Sequence, residues 1–265
     1  MVKKTRRQIQ NSGNHSNKTR ITAALLVFVL IGSGIALVFT NSDSESNSNS
    51  EFSSNVIPTN CPKFDKSSPR TIDFLRPPPR CINSEKNYTA IFDTTEGQIN
   101  VVLDTSLTPN TTNNFVVLAN YGYYDDTLLF RLDPSIGIVQ GGSPHTNDWS
   151  DPGPGYTISD EGGLFLPLSN GGVKGPFTYL PGQLIMARSS GLNSSGAQFF
   201  FSTSEEVSLL DSQGSYIVFG ETDEQGLSVL QKIMSLYEED ENSPYGGGPT
   251  REILIRSVSI EIDNN

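Results

Sequence analysis

The sequence predicts a mainly β fold, closed into a barrel and carrying two helices. Three observations support this. Short apolar runs recur from Tyr88 onward, each bounded by Gly, Pro, Asn, Asp or Ser, as strands between turns are. Only two stretches, one opening at Thr108-Pro109 and one from Leu227 to Leu236, repeat their apolar residues at helical spacing. A hydrophobic content of 35% with 24 glycines and 16 prolines in 265 residues suits a loop-rich globule rather than a helical bundle. Many short strands with few helices close most readily as a barrel, which leaves no exposed edge. No internal repeat is visible.

The chain begins with a polar, basic stretch, residues 1–20, holding Lys3, Lys4, Arg6, Arg7, Lys18 and Arg20 and no acid. Residues 21–40 form a long uncharged apolar run; as a helix of about 20 residues it spans about 30 Å, the thickness of a hydrocarbon core. Basic residues precede it and acidic ones follow, so the expectation is a transmembrane anchor with its N-terminus in the cytoplasm and the bulk outside. A cleaved signal peptide is the competing reading, but its apolar region is usually shorter, and no Ala-x-Ala site follows. Residues 41–55, rich in Ser, Asn and Glu, read as a flexible linker. Residues 56–87 are Pro-rich and irregular, and read as an extended strap on the domain that occupies 88–265.

Cys61 and Cys81, both in the strap, are the only cysteines. A lone pair closing a short interval suits a disulfide in an oxidising compartment, whereas two thiols alone make a poor zinc site. Charge excludes one class of partner. The whole chain is −11, but outside the basic tail 12 basic residues face 29 acidic ones, a balance of −17. Such a body repels nucleic acid, whose affinity rests on neutralising phosphates.

Within the domain, Tyr88 to Asp93 and Gln98 to Leu103 flank Thr94-Thr95-Glu96-Gly97 as a β-hairpin. Thr108 supplies an N-cap and Pro109 the first helical position; Phe115, Leu118 and Ala119 share one helix face, and Gly122 ends the helix. Further strand-like runs are Leu128 to Leu132, Ile136 to Val139, Gln183 to Ala187, Gln198 to Ser202 and Tyr216 to Phe219. The second helix falls on Leu227 to Leu236, and Ile253 to Ile262 alternates apolar and polar like a closing strand. Between Ala187 and Gln198 the Ser-, Asn- and Gly-rich stretch reads as a hairpin loop.

Acid–base or metal chemistry finds little support. His145 is the one histidine beyond the tail, set among prolines and glycines as a loop residue, and neither Gly-x-Ser-x-Gly nor His-Glu-x-x-His is present. Gly141-Gly142 and Gly246-Gly247-Gly248 lack the Lys-Ser/Thr of a phosphate loop and read as turns or bulges. Glu238 to Glu241 reads as a solvated acidic face. What remains is Arg131 on an apolar strand, with amides at Gln140 and Gln198 on other apolar runs. An arginine, two amides and several aromatics suit binding a polypeptide and stabilising a polarised amide.

Met186-Ala187-Arg188 with Ser195 to Ser202, Ser-Gly-Ala-Gln-Phe-Phe-Phe-Ser, resembles the signature of the cyclophilin-type peptidyl-prolyl cis/trans isomerases, especially the prokaryotic form with its longer loop. Five further matches follow family order: Pro109-x-Thr111-x-x-Asn114-Phe115-x-x-Leu118, Gly122-Tyr123-Tyr124-Asp125-x-Thr127 leading to Arg131, Gln140-Gly141-Gly142, Pro154-Gly155-Tyr156 with Asp160-Glu161, and Tyr216-Ile217-Val218-Phe219-Gly220. The resemblance implies an eight-stranded antiparallel barrel capped by two helices, isomerase activity without a cofactor, and proline-containing polypeptides as partners. It implies Arg131 as the catalytic arginine. Ile138, Phe200 and Leu210 would hold the proline ring, Gln140 and Gln198 would orient Arg131 and the substrate backbone, and Ala187 and Arg188 would form the docking edge. Tyr216 stands where many relatives have histidine. Phe130 and Leu129 replace the usual histidine and phenylalanine, an extra residue leaves Ile136-Gly137 where an aromatic pocket wall is expected, and Leu209 replaces a tryptophan, which implies weak cyclosporin binding. The expected function is therefore prolyl isomerisation of exported or surface polypeptides; the alternative is a catalytically weak module that binds proline-containing segments. Sequons at Asn87, Asn110 and Asn193 permit glycosylation outside the cell.

Overall fold

A computed structural model describes residues 59–161, 166–167, 169, 173–189, 191–213 and 215–263. The basic tail, the apolar run 21–40 and the linker 41–55 lie outside the described residues. Among the described residues no helix is long and apolar enough to cross a membrane.

The elements follow as β1 (Asn87–Thr94), β2 (Gln98–Leu103), α1 (Pro109–Asn120), β3 (Thr127–Asp133), β4 (Ile138–Gly141), β5 (Leu166–Pro167), β6 (Val173–Lys174), β7 (Gln183–Arg188) and β8 (Ser195–Ser202). A 3-10 helix (Glu205–Gln213) precedes β9 (Ile217–Thr222), α2 (Glu224–Met234), β10 (Tyr237–Glu239), β11 (Gly247–Pro249) and β12 (Leu254–Asp263). Eight of these strands close a barrel in the order β1-β12-β3-β4-β8-β7-β9-β2, every pairing antiparallel. β5–β6 and β10–β11 are separate two-stranded ribbons.

Period-2 alternation sends Ile99, Val101 and Leu103 of β2 inward, and their neighbours out. The interior is aromatic: the Phe92 ring lies 5.1 Å from Phe201 and 5.5 Å from Phe199, in edge contacts favoured by ring quadrupoles. α1 seals one end, Phe115 stacking on Tyr124 at 4.9 Å. Every residue from Thr111 to Asn120 is buried, not only the face of Phe115, Leu118 and Ala119. The strap supplies the cover: Asn113 Oδ1 accepts from the Cys81 and Ile82 amides at 2.7 and 3.2 Å, and its Nδ2 donates to Pro79 O at 2.9 Å. Thr108 occupies the cap position, but its hydroxyl is spent on Asp104 O at 3.0 Å rather than on the helix. Gly122, at φ +66°, closes the helix with its amide on Ala119 O and the Tyr123 amide on Leu118 O.

The strap is irregular, as expected, and is fastened at several points. Cys61 and Cys81 are disulfide-bonded, with Cα atoms 5.4 Å apart. Lys66 Nζ pairs with Asp125 at 2.7 Å, and Phe74 is buried 5.2 Å from the Tyr121 ring. His145, read as a loop residue, lies between two carboxylates, with Nε2 3.0 Å from Asp73 in the strap and Nδ1 3.2 Å from buried Asp151. It joins the strap to the loop after β4.

Candidate active site

Barrel alternation leaves one outer face built from β3, β4, β8 and β7. Phe199 and Phe201 point into the core, so Phe200 between them points out. The ladder registers place Arg131 opposite Gln140, Gln140 opposite Phe200, and Phe200 opposite Ile185, a single transverse row. A bulge between Leu129 and Arg131 resets β3, so that Leu129 and Leu132 join the core while Arg131 joins this row.

Arg131 is only 4% exposed. Its Nη1 donates to Gln140 Oε1 at 3.2 Å, and Gln140 Nε2 donates to Gln198 Oε1 at 2.9 Å. Both predicted amides therefore form one relay with the arginine. Two further contacts were not foreseen. Arg131 Nη2 donates to Asp133 Oδ2 at 2.8 Å, and the guanidinium lies 4.8 Å from the centre of the Tyr245 ring. Asp133 follows Arg131 by two residues on a strand, so strand alternation contains that signal. Tyr245 comes from the β10–β11 hairpin, and no local pattern announces it. Burial raises the pKa of its phenol, against the opposing charge of Arg131, which keeps the ring neutral.

Beside this relay lies a second apolar cluster, separate from the barrel core: Ile136, Ile138, Phe200, Val207, Leu210 and Tyr216 belong to it. Ile138, Phe200 and Leu210 thus meet as the sequence suggests. The extra residue after Arg131 is absorbed in a turn. Gly137 adopts φ +62°, where a Cβ would fall 2.1 Å from Ser204 Oγ, and its carbonyl accepts the Thr203 amide at 2.7 Å. That turn leaves Ile136 out of β4 but buries it in the cluster at 2% exposure, so an aliphatic side chain serves as the wall.

Tyr216 closes the far side, 5.6 Å from Phe200, with its amide donating to Tyr179 Oη at 2.7 Å. The Arg188 guanidinium stacks on Tyr216 at 4.7 Å and donates through Nε to Ser215 O at 2.9 Å. The Arg188 side chain is therefore turned in behind the cluster, and Ala187 lies in the register shift between Met186 and Arg188. Leu210 is buried while its neighbour Leu209 is 59% exposed. A groove of about 350 Å³ along Val102, Leu103, Val218 and Gly220 lies elsewhere on the barrel. Asp104 and Glu221 are its ionisable groups, and it brings together no cation, amide relay or aromatic wall, so the Arg131 face is the stronger candidate.

Comparison with known proteins identifies the family. The family model "Cyclophilin type peptidyl-prolyl cis-trans isomerase/CLD" matches residues 89–260. The chain is 31% identical over 180 residues to a probable peptidyl-prolyl cis-trans isomerase B of Mycobacterium leprae, covering 65% of this chain and 57% of that protein. It is 29% identical over 172 residues to peptidyl-prolyl cis-trans isomerase A of Dickeya dadantii, covering 64% of this chain and 83% of that one. Among solved structures, a cyclophilin type isomerase of Cryptosporidium parvum shares the fold, with a TM-score of 0.50 at 23% identity, covering 68% of this chain and 99% of the other. The match of the family model over residues 89–260, on a chain that folds as a closed eight-stranded antiparallel barrel, makes this chain a member of the cyclophilin-type peptidyl-prolyl cis-trans isomerase family.

Proposed function

We propose that the protein is a peptidyl-prolyl cis/trans isomerase, with Arg131 as its catalytic residue, acting on Xaa-Pro bonds of exported or surface polypeptides. The observation that carries this reading is the Arg131–Gln140–Gln198 relay beside the cluster of Ile138, Phe200 and Leu210. Rotation about an Xaa-Pro bond is slowed by amide conjugation, with a barrier of about 18–20 kcal/mol. Lowering it calls on no proton transfer or covalent intermediate, and hence on no cofactor. A proline ring seated against Phe200 brings its nitrogen towards the guanidinium. Donation to that nitrogen favours the pyramidal form, in which conjugation is lost. Taking turnover from tens of seconds to milliseconds requires roughly 5–6 kcal/mol of preferential transition-state binding. A charged donor held away from water supplies stabilisation of that order. Arginine suits the task because it stays protonated when buried.

The location rests on sequence. The uncharged run 21–40 with basic residues before it supports a single-pass anchor, N-terminus cytoplasmic and domain outside, and a disulfide in the strap suits an oxidising compartment. The Met186-Ala187-Arg188 stretch and its long loop support the prokaryotic form. The test is an NMR exchange or protease-coupled assay on an Xaa-Pro peptide. Arg131→Ala is expected to lower kcat/KM by at least about 100-fold without unfolding the domain; full activity in that variant would overturn the mechanism.

A second reading is favoured by one observation. Aliphatic Ile136 forms the wall where family likeness implies an aromatic one, which suits a module that binds proline-containing segments with weak turnover. Peptide binding without accelerated exchange in the unmodified protein would select it.

A further inference from the structure

We propose that Tyr245 and Asp133 are positioning residues that hold the Arg131 guanidinium in one plane and present its Nε edge to the substrate. This rests on the reading of Arg131 as the catalytic donor. A guanidinium on a four-bond stem is free to turn about each of those bonds, and a donor that turns is a poor electrostatic catalyst. Here three contacts of different direction restrain it. Gln140 takes Nη1 and Asp133 takes Nη2, both in the plane, while the Tyr245 ring lies against one face at 4.8 Å. In-plane bonds alone permit tilting; a ring on the face removes that freedom. Nε, by contrast, is buried and has no hydrogen-bond partner among the described residues. A buried donor without a partner is costly, and its retention here is accounted for if a peptide supplies the acceptor.

Tyr245 is placed by its own hairpin rather than by Arg131. Asp240 N donates to Gly246 O at 3.1 Å, Tyr237 Oη to the same carbonyl at 3.0 Å, and Ser243 Oγ to Gly247 O at 2.7 Å. Gly246 adopts φ +75°, and a Cβ on Gly247 would fall 2.3 Å from Glu238 O, so the hairpin has little room to rearrange. β11 packs along β3, the strand that carries Arg131 and Asp133. The ring and the carboxylate thus come from two elements locked side by side.

The experiment measures kcat and KM for an Xaa-Pro peptide by NMR exchange in the unmodified protein, Tyr245→Leu, Tyr245→Phe, Asp133→Ala and Arg131→Ala. Tyr245→Leu, which removes the ring face, is expected to lower kcat on the order of 10- to 100-fold while KM moves by less than about three-fold. Tyr245→Phe restores the face and should recover most of kcat; Asp133→Ala should lower kcat in the same sense as Tyr245→Leu. Wild-type kcat in Tyr245→Leu sinks the proposal, and so does a loss in Tyr245→Phe as deep as in Tyr245→Leu. Should the leucine variant misfold, the Arg131 side-chain NMR signals of the unmodified protein decide: separate, slowly exchanging Nη protons support a fixed plane, and free rotation about the Nε–Cζ bond overturns it. Full activity in Arg131→Ala refutes the parent reading instead, whereas an inactive Arg131→Ala beside a fully active Tyr245→Leu refutes this one alone.

Discussion

Gly137 determines what the pocket wall is made of. At φ +62° it occupies a conformation that residues with a Cβ rarely adopt, and the added carbon would meet Ser204 Oγ at 2.1 Å. Gly137→Ala should therefore cost about 1–3 kcal/mol of stability, measured by urea denaturation. It should also raise KM for a prolyl peptide, because the turn that seats Ile136 has to open; unchanged stability and KM would show that another conformation seats Ile136 equally well. At this scale much was legible. Arg131, Gln140 and Gln198 stand out in the sequence itself, family likeness adds Ile138, Phe200 and Leu210, and the structure brings them to one face. Ile136 looked like a gap in an aromatic wall because its contribution depends on a turn. The turn is tied through the Gly137 carbonyl to the Thr203 amide, far along the chain. The burial of the Arg188 side chain behind Tyr216 was likewise hidden, since a docking edge specifies a backbone and not where its side chains go.

Elements are tied to each other by buried charge as well as by ladders. Glu96, in the turn between β1 and β2, has a carboxylate only 3% exposed, which Lys232 of α2 and Arg251 before β12 reach at 3.2 and 2.7 Å. Burial alone would raise its pKa, but the Lys232 hydrogen bond and the Arg251 charge outweigh that, and the folded value is lowered. A lowered folded value means that the unfolded chain takes up the proton first as pH falls. The stabilisation is therefore complete above the unfolded carboxyl range and is lost as pH drops through the folded value. Both cations are more than half exposed, so the contribution is modest, about 1 kcal/mol. Glu96→Gln should be less stable than the unmodified protein at pH 7 by that amount in denaturation curves, with the gap closing below about pH 4; a gap independent of pH would assign the loss to packing. Strand and helix positions were readable because period 2 and period 3.6 are local. The Glu96 tie was not, for its partners stand far apart in sequence and nothing in the order of residues marks them as a set.

For the whole molecule, the strap behaves as part of the fold. It covers α1, which explains why that helix is buried on all sides although its sequence marks only one apolar face. Reducing the Cys61–Cys81 bridge, or replacing both cysteines with serine, should lower stability by up to about 3 kcal/mol. It should also speed exchange of the Thr71 and Phe74 amides, which bond Tyr121 O and Pro154 O, ahead of the barrel amides. Equal melting temperatures under oxidising and reducing conditions would place the strap's stability in its other fastenings. The barrel was foreseen as a class from composition and strand count, and its strand number from family likeness; its register could not be, because pairing partners are chosen by shape across the sheet. One arrangement at this scale has a mechanical consequence. Asn87 at the start of β1 is paired with Asp263 at the end of β12, so a pull between those two ends would unzip the ladder one bond at a time. Tension entering at Thr59 instead crosses the bridge to Cys81, whose amide and that of Ile82 hang on Asn113 in α1. The load is thus shared with α1 before it reaches the seam at Asn87.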